Sequence, residues 1–303
     1  MTNAPFPSPT KTWHSTAYAS ISPTRPELSA KGKTVVITGG GTGIGAETAR
    51  AFAAAGAARI ALLGRREKPL LDTKTSIQAE FPAVEIFTAP TDVTKKDQVD
   101  AAFADFVGNE SATIDILISN AAVVGPQDSI ETTDPESFLA SIDTNLRGAL
   151  YTARAFLPRA APDGVIIEVN SAAALLTYGS MFGAYSIAKF AVFRLWEFVG
   201  AAKPGLRVYH IQPGVVDTDM NRETGGVKAI GYEDHVSLPA GFSVWLASGE
   251  AGFLNGRFLY TNWDVDELVA RKAEIEGGDL FRVGMGGWPF GNAAWEVSWD
   301  AEK

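Results

Sequence analysis

The segment TVVITGGGTGIGAETARAFAAAG, residues 34–56, carries the strongest indication of architecture in this chain. It joins an apolar, β-branched run to a segment of helical composition through a glycine-rich turn. Glycine lets backbone N–H groups approach an anion closely, and the dipole of the following helix favours a pyrophosphate there. An ordinary strand-to-helix turn also uses glycine, but this position after the first strand is the context of a dinucleotide fingerprint. We therefore expect dinucleotide contacts from Gly39, Thr42, Gly43, Ile44 and Gly45.

Outward from this segment, strand-like runs alternate with helical segments. The strand-like runs are Thr34–Thr38, Arg59–Leu63, Val84–Thr88, Ile114–Ser119, Val165–Val169, Leu206–Ile211 and Arg257–Tyr260. Helical spacing is found between them, for example at Gly43–Ala55, Pro135–Leu157 and Ala184–Gly200. Strands that are apolar on both faces and separated by helices form parallel sheets covered on both sides. The pattern predicts one α/β domain over residues 31–262, a doubly wound, seven-stranded parallel sheet of the Rossmann type.

The two ends of the chain differ from this periodic part. Residues 1–30 are rich in proline, serine and threonine, which predicts an extended arm rather than helix or sheet. Residues 263–303 form a C-terminal extension, in which Asp264–Glu276 is predicted to be one charged helix. An aromatic tail with Trp288, Pro289, Phe290 and Trp295 follows. Exposing these aromatic side chains would be unfavourable, so we expect the tail to pack on the body or on another subunit.

Composition excludes several classes of function. The 303 residues carry a formal net charge of -9, which disfavours nucleic acid and anionic membranes as partners. The absence of cysteine rules out thiolate catalysis and fits a reducing compartment. The three histidines, His14, His210 and His235, have no metal-ligand spacing, so no metal site is expected. With no signal-peptide pattern and no apolar run of ~20 residues, we expect a cytoplasmic protein.

The end of the second strand bears on cofactor choice. About 20 positions beyond the glycine turn, an acidic residue normally binds the ribose hydroxyls of NAD. This sequence has Gly64-Arg65-Arg66 there instead. Arginines often flank strands as plain surface charges, but two guanidinium groups also suit a 2′-phosphate. The sequence favours NADP over NAD.

The motif Thr38-Gly39-x-x-x-Gly43-Ile44-Gly45 resembles that of the short-chain dehydrogenase/reductase family, in its main single-domain branch. The resemblance covers about residues 33–262 and extends to further motifs in the family's order. These are Asp92-Val93 after the third strand, Asn120-Ala121-Ala122 after the fourth, and the loop of Pro213, Gly214, Val216 and Thr218 after the sixth. The resemblance implies that Asp92 meets the adenine and that this loop contacts the nicotinamide carboxamide. Ser119 and Ala122 depart from the family's usual Asn and Gly, and the arm and tail resemble extensions of fungal members.

The same resemblance supplies the candidate catalytic residues. Tyr185-Ser186-Ile187-Ala188-Lys189 matches the Tyr-x-x-x-Lys motif, Ser171 ends the fifth strand as the family's serine does, and Asn145 matches its helix asparagine. The family roles are Tyr185 as general acid/base, Ser171 as donor to the substrate oxygen and Asn145 as the group that orders a water. Lys189 would hold the nicotinamide ribose and favour the phenolate.

The chemistry of the residues themselves supports this arrangement. Positions i and i+4 of a helix share a face, so Tyr185 and Lys189 can enter one site. A free phenol has a pKa near 10, and a neighbouring ammonium favours its ionised form. Ser171 could instead be a satisfied strand-end serine, Asn145 a buried amide bound to backbone, and Lys189 a solvated charge. Tyr178 competes for the tyrosine role, but Phe182 stands where its lysine would be needed.

Apolar side chains around Tyr185 bear on the substrate and on the assembly of the protein. Leu175, Leu176, Tyr178, Met181 and Phe182 predict an apolar pocket wall, and Val215 to His235 predict a mobile lid hinged at Gly225 and Gly226. We expect an apolar or aromatic ketone or secondary alcohol. The helix after Tyr185 is apolar nearly all round, and the resemblance implies that it forms the interface of a homodimer or homotetramer. Two alternatives stay open: a sugar-nucleotide epimerase or dehydratase, and a non-catalytic NADP-binding sensor.

Overall fold

A computed structural model of the protein describes residues 6, 8–108, 112–177 and 180–284. Within these residues the strands are β1 (Thr34–Thr38), β2 (Arg59–Gly64), β3 (Glu85–Pro90), β4 (Ile114–Ser119), β5 (Ala160–Val169), β6 (Arg207–Gln212) and β7 (Phe258–Tyr260). They form one parallel sheet in the order β3-β2-β1-β4-β5-β6-β7. The strand order reverses between β1 and β4, and a crevice opens at such a point in doubly wound sheets.

The helices lie on both sides of this sheet. They are α1 (Gly43–Ala54), α2 (Glu67–Glu80), α3 (Lys96–Val107), α4 (Pro135–Phe156), α5 (Gly183–Ala202), α6 (Asp219–Glu223), α7 (Val227–Ile230), α8 (Ser237–Ala247), α9 (Val265–Ala270) and α10 (Lys272–Glu276). Single 3-10 turns occur at Ala19–Ile21, Pro26–Leu28, Leu157–Arg159, Ala172–Ala174 and Gly252–Leu254. The predicted seven-stranded, doubly wound architecture is confirmed.

Alternation along the strands divides the core into two layers. Val35 and Ile37 of β1 enter the layer that α1 and α8 cover, whereas Val36 between them enters the layer of α3, α4 and α5. Successive side chains of a strand point to opposite faces, so a strand buried on both sides is apolar throughout. This is why the apolar runs of the sequence located the strands.

Strand boundaries agree with the prediction to within about two residues, except at β5. This strand begins at Ala160, five positions before the predicted Val165. Its early part pairs Ala160 with Ile114, and the register then shifts before Ile116 pairs with Val165. Pro162, Asp163 and Gly164 interrupt the apolar pattern there, so the sequence gives no indication of the extension.

The prediction of one C-terminal helix over Asp264–Glu276 is wrong. The chain forms two short helices, α9 and α10, which meet at Arg271. Asp264 caps α9 by accepting a hydrogen bond from Glu267 N. Leu268 and Ile275 are both buried on either side of the break. The Arg271 guanidinium donates to Pro9 O at 3.0 Å, which ties the break to the N-terminal arm.

The N-terminal arm is more structured than the extended segment that was predicted. Its two 3-10 turns bury Ile21 and Leu28 completely against the α8 side of the sheet. Trp13 forms an isolated antiparallel bridge with Trp263. The arm is therefore held on the domain by the burial of apolar side chains. The division of the chain into residues 1–30, 31–262 and 263–303 stays a prediction. The aromatic tail residues Trp288, Pro289, Phe290 and Trp295 lie outside the described residues.

Candidate active site

A cleft of about 550 Å³ lies at the carboxyl ends of the strands. Predicted site residues that line it are Gly39, Thr42, Gly43, Ile44, Arg65, Arg66, Asp92, Val93, Asn120, Tyr185, Lys189, Pro213 and Thr218. Gly45, Asn145, Ser171, Gly214 and Val216 do not line it. The cleft thus brings motifs that are far apart in sequence to the switch point between β1 and β4.

The glycine turn forms one wall of the cleft and fits a pyrophosphate. Gly39 and Gly43 have φ values of +69° and +53°, a region that favours glycine. The Thr42 side chain does not cap α1, and the first turn of α1 holds no acidic residue. The first N–H groups of the helix are therefore left for an anion.

Gly45 has a different role from the other glycines. A Cβ on this residue would lie 2.2 Å from Gly39 O and 2.9 Å from Asn120 Nδ2. Asn120 Nδ2 donates to Thr38 O at 3.0 Å and to Gly39 O at 3.3 Å. Gly45 therefore lets α1 pack against the turn, and Asn120 braces that turn from the end of β4.

The ends of β2 and β3 form the end of the cleft where the sequence predicts the adenosine. Asp92 Oδ1 accepts hydrogen bonds from Thr94 N at 2.9 Å and Thr94 Oγ1 at 2.8 Å. These two bonds, with a smaller contribution from the Arg65 charge, lower the pKa of Asp92. Arg66 Nη2 lies 3.1 Å from Asp219 Oδ2, and both side chains are more than half exposed. The end of β2 itself, Gly64-Arg65-Arg66, carries no carboxylate.

Tyr185 and Lys189 lie on one face of α5, as their spacing predicts. Lys189 is 5 % exposed, and its Nζ donates to Val169 O at 2.7 Å. The same Nζ lies 5.8 Å from the centroid of the Tyr185 ring. A buried ammonium thus stands beside the phenol at the wall of the cleft, which excludes the solvated-charge interpretation of Lys189.

Ser171 begins the turn that follows β5. Its backbone is extended, and its Oγ accepts a hydrogen bond from Ala173 N at 3.2 Å. Because a hydroxyl can accept and donate at once, the O–H of Ser171 remains able to donate. Contact with a substrate oxygen stays a prediction for this residue.

The Asn145 side chain is buried and engaged with backbone. Its Oδ1 accepts from Val123 N at 3.0 Å, while its Nδ2 donates to Val123 O at 2.9 Å and to Ser141 O at 2.8 Å. Val123 lines the cleft, so Asn145 holds a wall segment in place. The amide is thereby occupied, and its role in ordering a water stays a prediction.

A buried carboxylate that the sequence did not indicate holds the loop after β6. Asp234, 1 % exposed, accepts from Val215 N at 2.8 Å through Oδ2 and from Asn262 Nδ2 at 2.9 Å through Oδ1. Gly214 has φ +91°, and a Cβ there would lie 2.6 Å from Asp234 Oδ2. Gly214 therefore lets the loop pack against Asp234, 20 residues further along the chain.

Several residues beyond the predicted set also line the cleft, namely Thr91, Thr94, Thr144, Asn170, Met220 and Glu223. Asn170 is the one with a visible signal, since it is a polar residue between apolar Val169 and Ser171. Tyr178 lies outside the described residues, so its competition with Tyr185 stays open. In the part of the chain that the structure describes, no cluster of acidic residues and histidines could hold a metal ion.

Apolar side chains are exposed on the segment between Ser171 and Tyr185. Leu175, Leu176 and Met181 are all exposed, and Ile130 lies across from Gly183. Gly225 and Gly226 have φ values of +95° and +76°, between α6 and α7. The mobility of that segment stays a prediction.

Similarity to known dehydrogenases extends over most of the chain. The short chain dehydrogenase family model matches residues 33–227. A Claviceps purpurea short chain dehydrogenase/reductase is 35% identical, covering 92% of this chain and 95% of its own length. The Aspergillus aculeatus short chain dehydrogenase/reductase AacuD is also 35% identical, over 91% of this chain and 95% of its own. The solved alcohol dehydrogenase of Thermococcus sibiricus, complexed with 5-hydroxy-NADP, is 27% identical with a TM-score of 0.64, covering 71% of this chain and 89% of its own.

Proposed function

The chain belongs to the short-chain dehydrogenase family, and on that premise we propose that it interconverts a ketone or aldehyde and the corresponding alcohol, with Tyr185 as general acid/base. Members of this family are oxidoreductases that bind NAD(P). The observation that carries the proposal is the pairing of Tyr185 with the buried Lys189 ammonium at one wall of the cleft, with the glycine turn at another. A phenol and a cation beside a dinucleotide cradle are the groups that reversible proton transfer to a carbonyl oxygen requires.

In the direction of reduction, Tyr185 donates its phenolic proton to the substrate oxygen. A bound nicotinamide dinucleotide supplies the hydride. The Lys189 ammonium, fixed by Val169 O, stabilises the negative charge that develops on the phenol oxygen. The Ser171 hydroxyl, which accepts from Ala173 N, donates a hydrogen bond to the substrate oxygen and keeps its proton, which stabilises the developing alkoxide.

NADP is the proposed cofactor. Arg65 and Arg66 line the cleft, and the segment Gly64-Arg65-Arg66 at the end of β2 carries no carboxylate to repel a 2′-phosphate. Asp219, which also lines the cleft, pairs with Arg66, so Arg65 is the main proposed contact. Asp92, two residues after β3, has a pKa lowered chiefly by its hydrogen bonds from Thr94 and to a smaller extent by the Arg65 charge, so Arg65 and Asp92 lie at the same end of the cleft. The Thermococcus sibiricus relative, which is complexed with an NADP derivative, supports the same preference.

The proposed substrate is an apolar or aromatic small molecule. Leu175, Leu176 and Met181 lie between Ser171 and Tyr185 and expose apolar surface, and Met220 lines the cleft. Residues 172–184 include no charged side chain that could bind a sugar phosphate. An apolar ligand would cover surface that is otherwise exposed to water.

Assembly into a homodimer or homotetramer is also proposed. The helices α4 and α5 pack on each other, and they expose Leu139, Leu150, Ile187, Phe190 and Phe198. Phe198 is 66% exposed in the single chain. Apolar side chains in this number on two adjacent helices favour burial against a second copy.

The proposed reaction is tested with apolar ketones and secondary alcohols, offered with NADPH, NADH and their oxidised forms and followed by nicotinamide absorbance. Tyr185→Phe should lower kcat by at least roughly 10²-fold, because it removes the proton donor. Its dissociation constant for NADPH should stay within about threefold of the wild type. Tyr151→Phe is the matched control, since this tyrosine lies on α4, contacts Arg147 and does not line the cleft. Dinucleotide binding without turnover of any compound would favour a cofactor sensor instead, and full activity in Tyr185→Phe would exclude the proposed acid/base.

A further inference from the structure

Three polar side chains are buried near the carboxyl ends of β5 and β6, close to Ser171 in the chain. Glu168 on β5 and Asn170, just after this strand, are 1 % and 2 % exposed, and His210 on β6 is completely buried. Glu168 and His210 are register partners on the two strands, and His210 Nδ1 lies 2.9 Å from Glu168 Oε2. The His210 ring packs on the Phe193 ring of α5, with the centroids 4.3 Å apart. The proposed chemistry uses none of these three side chains.

Asn170 connects this buried pair to the candidate active site. Its Nδ2 donates to both carboxylate oxygens of Glu168, at 2.7 and 2.8 Å, and to Lys189 O at 3.1 Å. Its Oδ1 accepts from Ser171 N at 2.7 Å. One carboxamide therefore joins the backbone of the predicted substrate-binding serine to the backbone of the predicted catalytic lysine.

The groups around Asn170 determine which way this carboxamide points. Its NH2 group faces three acceptors, the two carboxylate oxygens of Glu168 and Lys189 O, and its oxygen faces the donor Ser171 N. A rotation by half a turn would place Oδ1 against the carboxylate and leave Ser171 N without its acceptor. Glu168 thereby supplies two of the three acceptors that hold this orientation of the amide, and His210 in turn contacts Glu168 from the neighbouring strand.

The stability of the fold does not explain why polar side chains occupy these buried positions. Their neighbours on β5 and β6, such as Ile166 and Val208, are buried and apolar. A buried carboxylate loses several kcal/mol of hydration, and well-packed apolar residues often replace a buried charged pair without loss of stability. His210 Nε2 has no hydrogen-bond partner among the described residues, so the pair is not fully compensated. Apolar residues at positions 168 and 210 would fill the same space without this loss of hydration.

We propose that Glu168 and His210 are positioning residues for the reaction, acting through Asn170 on Ser171 and Lys189. This inference rests on the proposed function, because it assigns those two residues to the reaction. Loss of the carboxylate leaves Lys189 O as the remaining acceptor of the Asn170 NH2 group, so the amide is held less firmly and the turn that carries Ser171 is positioned less precisely. A displacement of about 1 Å at a reacting group lowers the rate by roughly 10²-fold.

The decisive variant is the double replacement Glu168→Val/His210→Val, which substitutes the pair with β-branched residues like those around it. We expect its melting temperature to equal or exceed that of the wild type, because no uncompensated polar pair remains. Its kcat should nevertheless fall roughly 10- to 100-fold, with the dissociation constant for NADPH within about threefold. A purely structural role would leave kcat unchanged in a variant that is this stable.

Two single variants and a control complete the test. Glu168→Gln keeps an oxygen for Asn170 and should retain kcat within about threefold of the wild type. Asn170→Ala should lower kcat as the double valine variant does, and combining all three changes should lower it no further, since they act through one residue. Tyr209→Phe, on the same strand but facing the opposite layer, removes a buried hydrogen bond to Ala251 O and should leave kcat unchanged.

The results separate this inference from the proposed function. A wild type without turnover in the ketone and alcohol panel overturns both. An active wild type whose double valine variant matches Tyr209→Phe in kcat overturns only the positioning role. Multiplicative losses on combining Asn170→Ala with the valine pair would also overturn it, because the pair would then act independently of Asn170.

Discussion

Replacing Gly45 by alanine tests how the turn between β1 and α1 holds a dinucleotide. A Cβ on residue 45 would lie 2.2 Å from Gly39 O, and real Cβ atoms essentially never come within 3.0 Å of another heavy atom. Either α1 or the Gly39 carbonyl must therefore move by about 0.8 Å, the difference between these two distances. Gly39 cannot give way freely, because its φ is +69° and Asn120 Nδ2 donates to its carbonyl. The strain therefore falls on the start of α1, where the first N–H groups would meet the pyrophosphate.

Two separate effects follow from that displacement. Overpacking of this kind lowers the free energy of unfolding by about 1–3 kcal/mol. Misdirecting the N–H groups of α1 forfeits the equivalent of one charge-assisted hydrogen bond, about 1.5–3 kcal/mol. We therefore expect the dissociation constants of Gly45→Ala for NADPH and NADH to rise roughly 10- to 100-fold.

Calorimetric titration of both dinucleotides, together with urea denaturation, measures the two effects independently. Gly249→Ala is the matched control, because a Cβ there has no atom within 4 Å. This control should bind both dinucleotides like the wild type. If Gly45→Ala binds them within about twofold of Gly249→Ala, the packing argument for the turn is refuted.

Three further predictions concern the cofactor preference, the loop after β6 and the assembly. Arg65→Ala should reduce the preference for NADPH over NADH in kcat/KM roughly 10- to 100-fold, because it removes a charge-assisted contact with a 2′-phosphate; equal use of both cofactors by the wild type would contradict the assignment. Asp234→Ala leaves Val215 N without its buried acceptor and removes one of the two acceptors of Asn262 Nδ2, which keeps His14 O. It should lower the free energy of unfolding in urea by about 3 kcal/mol, and a loss below about 1 kcal/mol would show that the carboxylate does not anchor this loop. Phe198→Lys should lower the mass measured by light scattering without lowering the melting temperature of the separated chain, because this side chain is already exposed; an unchanged mass would place the interface elsewhere.

The sequence alone determined most of the architecture. Val35, Val36 and Ile37 are buried on alternating faces, and apolar runs of this kind in the sequence predict the strands. The reason is that burial on both faces constrains every residue of a parallel strand, so the signal is local and uninterrupted. Where polar residues interrupt it, as at Pro162 and Asp163, the beginning of β5 could not be predicted.

Part of the candidate site was equally readable from sequence. Tyr185 and Lys189 share a face because of their four-residue spacing, and the glycine turn follows β1 directly. Both features depend on residues within one or two helical turns of each other, so spacing alone fixes their geometry. The family resemblance then placed Ser171 and Asn145 in order along the chain, although their contacts were not determined by it.

Tertiary structure decided the contacts between distant segments. Asp234 meets Gly214 across 20 residues, and His210 meets Glu168 across 42. The Arg271 guanidinium reaches Pro9 O from the opposite end of the chain. No periodicity connects such positions, since strand order and helix packing bring them together. A polar residue inside an apolar run is visible in the sequence, but its partner is set only by which strand lies beside it and which helix covers both.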